Sequence, residues 1–140
     1  MRNLHKSVCI VLSILAVSFS GMMGEAAEEK VDVLIVTGFD VGSHKWEDST
    51  KLVQAILVKT GRFDVTVSKD KEVFASPTLK DYPVIVLLYG FWNEADPSDK
   101  AKAGLIDYAK NGGNVVALHF ACSSFQDWKE HGDLIGRVWK

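Results

Sequence analysis

The stretch NVVALHFACSSFQDW, residues 114–128, decides the fold. The pair Gly112-Gly113 supplies a turn before it, a short β-branched and apolar run fills residues 114–118, and the pattern breaks at His119 into polar and aromatic residues. A buried parallel strand has this pattern when it delivers a side chain to the carboxyl edge of a sheet. Ligands of open α/β sheets bind outside those carboxyl ends, so His119 and the loop after it are the first candidates for chemistry.

Upstream, the sequence supplies partners for that strand. Residues 30–37 (KVDVLIVT) carry an apolar run too continuous for a strand with one wet face, so they read as buried on both sides. Residues 38–43, with Gly38, Asp40 and Gly42, form a permissive loop that ends at His44. A helix follows: Leu52, Val53, Ile56 and Leu57 recur at helical spacing as its core face, Glu47, Asp48 and Ser49 suit its electropositive first turn, and Gly61 suits its stop. Residues 63–67 alternate Phe63, Val65 and Val67 with polar partners, the signature of a less buried strand. A polar connection with a short helical turn spans residues 69–80 and leads into a third strand at 84–88, as apolar as the first. Ser98 is the expected N-cap of a second helix containing Ala101, Leu105, Ile106 and Tyr108, and Asn111-Gly112-Gly113 ends it.

This order predicts an α/β protein with three layers, α/β/α, around a parallel flavodoxin-like sheet. No internal repeat or low-complexity linker divides it, so residues 27–140 are expected to form one domain. After Trp128 a last amphipathic piece with Leu134, Ile135 and Val138 has no strand behind it. A sheet left open in this way exposes apolar surface, which predicts a domain truncated at its C-terminal side and an edge available for homo-oligomer formation.

Residues 1–26 read as a signal peptide: Arg2 and Lys6 give a positive start, residues 8–19 an apolar run too short for a membrane span, and Gly24-Glu25-Ala26 a small-x-small cleavage site. Cleavage predicts a periplasmic or secreted protein without stable membrane insertion, and moves the formal charge from −2 to −3. No basic stripe marks a nucleic-acid partner. Cys9 leaves with the signal segment, so Cys122 has no internal disulfide partner and is expected to be a small buried apolar residue.

Several segments together carry a family resemblance: VLIVTG at 33–38, His44 with Trp46 and Glu47, GRFDV at 61–65, DYPVIVLLYG at 81–90 and NGGNVVALHFACSSFQDW at 111–128. Their order and spacing resemble the ThuA-like, or trehalose utilisation, family, whose fold is similar to that of class I glutamine amidotransferases. Members of the family typically run on beyond this point, adding strands and polar residues that complete the pocket. The resemblance implies a small-molecule carbohydrate ligand, trehalose-like or an oxidised glycoside. In the amidotransferases the strand matching residues 114–118 ends in a nucleophilic cysteine on a glycine-flanked turn. Here the register puts His119 at that point, and Cys122 lacks the elbow, so glutamine hydrolysis is not expected.

His119 suits a general acid or base, a metal ligand or a sugar contact, against the alternative of a histidine packed at a strand end. His44, leaving the first strand on a glycine-rich loop, should open onto the same edge. The two are the candidate catalytic residues, with a divalent metal left open as a cofactor. Trp46, Trp92, Phe120 and Trp128 are candidate aromatic stacking faces for a sugar ring, although most such side chains serve as core. Asp40, Tyr89 and Asn93 are the polar candidates on the rim. His131, in a charged run with Lys129, Glu130 and Asp133, reads as surface. The competing functional readings are a non-catalytic sugar-binding or interaction module and an inactive remnant.

Overall fold

Strand β1 (Val31–Val36) is the centre of the protein, because its run of Val33, Leu34, Ile35 and Val36 is at most 1% exposed. The computed structural model describes residues 28–39, 42, 44–90 and 94–139. The expected signal peptide lies outside these residues. On either side of β1 run β2 (Phe63–Ser68) and β3 (Val84–Leu87), and β4 (Asn114–Ala117) pairs with β3. All pairings are parallel and the order is β2-β1-β3-β4.

Alternation along β1 and β3 divides the core between the two faces. Leu34, Val36, Ile85 and Leu87 pack on one side with Phe74, Leu105, Phe125 and Trp128. Val33, Ile35 and Val86 pack on the other with Val53 and Leu57. Each fully buried aliphatic side chain contributes about 1.5–3 kcal/mol relative to exposure. Helix α1 (Trp46–Lys59) covers the second face, while α2 (Asp99–Lys110), the short 3-10 segments Lys71–Ala75 and His119–Ser123, and α3 (Lys129–Ile135) cover the first. The three-layer parallel arrangement is therefore present.

Local signals account for the helix ends. Ser98 caps α2, its hydroxyl oxygen accepting from the Ala101 N–H at 3.2 Å. The same serine donates its N–H to Glu72 at 2.9 Å, and hydrogen bonds from Ser98 hold the Glu72 carboxyl below the ordinary carboxylate range. α1 carries Glu47 and Asp48 in its first turn and ends at Thr60, with Gly61 at φ +73°. Gly104 lets α2 approach closely, because a Cβ there would lie 2.0 Å from the Phe74 carbonyl oxygen.

Three expectations are corrected. β4 is an edge strand rather than a fully buried one: Val116 is 42% exposed, since among the described residues no strand pairs with its outer edge. On α1 Val53 and Leu57 pack against the sheet, while Leu52 and Ile56 are exposed, because among the described residues no second helix lies beside α1 on this face to cover them. His131 is buried completely, enclosed by Phe125 and Trp128, whose rings override the charged run around it in sequence. Among the described residues no helix is long and apolar enough to cross a membrane.

Candidate functional site

The ends of β1 and β4 bring His44 and His119 together. Chain exit from β1 is fixed by Thr37, whose N–H donates to the Ser68 carbonyl at 2.9 Å and whose buried hydroxyl lies 2.7 Å from that of Thr50 on α1. This pins the start of α1 over the carboxyl end of the sheet, with His44 immediately before it. Exit from β4 is fixed by Leu118, which donates to the Leu87 carbonyl at 3.0 Å, after which the chain turns abruptly into the 3-10 segment His119–Ser123. Ser123 bonds back to the Phe120 carbonyl at 2.8 Å, and the Ser124 hydroxyl donates to the Tyr89 carbonyl, tying this segment to the end of β3.

The imidazole rings of His44 and His119 have their centroids 5.2 Å apart. His44 is half-buried and lies flat on Phe120, with centroids 4.2 Å apart and planes within 4°. His119 is exposed at the rim and leaves the strand end from a backbone at φ +43°. Phe39, on the opposite wall, has φ +65°. Left-handed conformations are uncommon for residues with a Cβ and concentrate at functional sites, where surrounding structure holds them. Two such residues line this cavity, and a third, Phe125 at φ +55°, lies in the core on the other face of the sheet.

The cavity measures about 230 Å³. Phe39, Trp46, Val53, Leu88, Leu118 and Phe120 give it an apolar lining, and His44, His119 and Ser49 supply the polar groups. Lys69 sits 5.2 Å from the Trp46 ring and adds a positive charge beside it. Gly90 forms part of the wall because it must: a Cβ there would come within 2.3 Å of the Phe120 ring. A larger cavity of about 700 Å³ opens at the amino end of the sheet between α2 and residues 74–83. Its polar groups do not include a histidine or cysteine, and Tyr108 there is engaged with the Tyr82 carbonyl, so the smaller cavity is the stronger chemical candidate.

The structure thus brings together His44, His119, Trp46 and Phe120 of the residues singled out in the sequence. Tyr89 and Trp128 are placed elsewhere, each 4% exposed in the core on the opposite face of the sheet. Burial, with help from Glu94 and Asp70, pushes the Tyr89 phenol above its ordinary range. Asp40, Trp92 and Asn93 lie outside the described residues. Phe39 and Ser49 were not legible as lining residues: one follows Gly38 as an ordinary loop hydrophobe, the other resembles a helix-start serine. Cys122 is half-buried and its thiol is free. Among the described residues no three histidine, cysteine or acidic side chains are grouped to hold a metal ion, so His44 and His119 offer two imidazole donors at this edge.

A family model described as ThuA, trehalose utilisation, matches residues 32–140. A crystal structure of a protein described as ThuA-like from Parabacteroides merdae is similar at 29% identity, with a TM-score of 0.60 over 73% of this chain and 37% of that one. Another, described as ThuA-like, from Bacteroides uniformis, is similar at 20% identity and a TM-score of 0.59, covering 77% of this chain and 44% of that one. The chain therefore spans less than half the length of these solved relatives. No curated protein matches it.

Proposed function

Since the chain belongs to the ThuA, or trehalose utilisation, family, we propose that it processes a trehalose-like or oxidised glycoside with the His44–His119 pair as its acid and base. The observation that carries this reading is the convergence of two imidazoles, from the ends of two different strands, over an aromatic-walled cavity at the carboxyl edge. A neutral imidazole accepts a proton while its protonated neighbour donates one, and general acid–base catalysis of this kind supplies about 10²–10⁴-fold. Phe120 holds the His44 ring in one plane, leaving its edge to meet substrate. Phe39 and Trp46 offer apolar faces to the C–H side of a sugar ring. Export to the periplasm or outside the cell, on the strength of residues 1–26, belongs to the same proposal. The two imidazoles are also suitable nitrogen donors for a divalent metal, with the remaining positions left to water or substrate.

Titration calorimetry and product analysis with trehalose and an oxidised trehalose, on the wild type and on His44→Ala and His119→Ala, test the reading. Turnover by the wild type, lost in both variants while affinity changes little, is the expected result. Binding without product over long incubation supports instead a sugar-binding module, a reading that the apolar aromatic walls of the cavity favour. Absence of any binding by a folded chain overturns both.

A further inference from the structure

We propose that His131 is an acid-released latch that holds α3 and the residues after it against the loop carrying Phe120. The ring is 0% exposed, and among the described residues neither Nδ1 nor Nε2 has a hydrogen-bond partner. It stands edge-on to Phe125 at 5.1 Å and stacks on Trp128 at 5.4 Å, so its surroundings are aromatic hydrocarbon. A leucine or phenylalanine would fill such a site without leaving two polar atoms unsatisfied. What a histidine adds is a site that packs only while it is neutral.

The charged groups around the latch do not neutralise a proton placed on it. On the α2 side, Asp96 lies near but is bound to Lys102 at 2.8 Å, and Lys102 sits 5.9 Å from the Trp128 ring. Asp99 lies on α2 itself; on α3, Lys129 is paired with Asp133 and Glu130 is exposed, while β4 contributes no titratable side chain. Burial accordingly pushes the His131 imidazole down from the ordinary value of 6.5 to about 4, with Asp96 pulling weakly the other way. The folded state stays neutral where an opened state already takes up a proton, so opening gains as pH falls from 6.5 toward 4. Each unit of separation is tenfold, giving a limit of about 300-fold below pH 4 and about 30-fold at pH 5.

Release reaches the candidate site by a short path. The Trp139 N–H donates to the Cys122 carbonyl at 2.9 Å, and the Gln126 amide donates to the Trp139 carbonyl at 2.8 Å. The Trp139 ring meets Phe120 edge-on at 5.9 Å, and Phe120 is the platform under His44. Opening of α3 withdraws Trp139 from Phe120 and loosens that platform.

Amide exchange of α3, corrected for intrinsic rates, and ring NMR of His131 on the full chain test this without any ligand. The expected result is a loss of protection by about 30-fold between pH 7.5 and pH 5 in the wild type, with the His131 ring titrating well below 6.5. The loss should be absent in His131→Phe, which keeps an aromatic ring without a titrating group, and in His131→Gln, which keeps polarity but does not titrate in this range. The second variant decides the matter if the first does not fold. An equal loss of protection in the variants, or a His131 ring titrating near 6.5 with α3 undisturbed, overturns the proposal.

Discussion

Replacing His119 by glycine and, separately, by alanine separates a strained functional residue from a packed one. The backbone at His119 has φ +43°, in the left-handed region, and the residue is exposed at the rim, so little burial is lost in either variant. A residue with a Cβ gives up about 1–2 kcal/mol in this conformation, whereas glycine adopts it freely. Against that, glycine adds about 0.5–1 kcal/mol of chain entropy to the unfolded state. The balance makes His119→Gly more stable than His119→Ala by about 0.5–1 kcal/mol, and close to the wild type. Urea unfolding followed by fluorescence reads this as a shift of midpoint at constant slope. Both variants should lose turnover of the oxidised disaccharide. A glycine variant less stable than the alanine variant would refute the strain argument. A loss above about 2 kcal/mol in both would mean that the imidazole is a packing element of the strand end, since substitutions away from the core rarely cost so much.

Gly90→Ala places a Cβ where the Phe120 ring now lies, 2.3 Å from its nearest carbon, so Phe120 must shift and His44 loses its stacking partner. Overpacking of this kind costs about 1–3 kcal/mol, and the affinity for sugar measured by calorimetry should fall while the circular dichroism of the fold is retained. Thr50→Val removes one member of the buried hydroxyl pair with Thr37 and leaves the other unsatisfied, a loss of about 1–3 kcal/mol. The Thr37→Val, Thr50→Val double variant should lose less than the sum of the single changes, and additive losses in denaturant titrations would show that the two hydroxyls do not act as a pair.

Which features were legible in the sequence follows from how far each depends on its neighbours in the chain. β1 and β3 were readable because an unbroken run of apolar residues leaves a strand no dry alternative to burial on both faces. Ser98 was readable because capping is local: its oxygen reaches the N–H of Ala101, one turn on. His44 and His119 could be placed at one edge because a parallel sheet puts the ends of all its strands on the same side, whatever their separation in sequence. The exposure of Leu52 and Ile56 was not readable, since helical spacing gives a stripe but not whether a neighbouring element covers its full width. His131 failed for a sharper reason. Lys129 and Glu130 describe the chain next to it, yet on a helix they point about 200° and about 100° away from it, so their charge says nothing of its surroundings. What encloses it are Phe125 and Trp128, which lie in the turn before the helix and were read as parts of the loop after His119. The same few residues thus serve two ends: the 119–128 loop presents His119 and Phe120 to the cavity and, through Phe125 and Trp128, closes over a histidine that packs there only as a neutral ring. A single segment with both duties couples the packing of α3 to the geometry of the candidate site, so substitutions that loosen His131 should alter affinity at a cavity that His131 does not line.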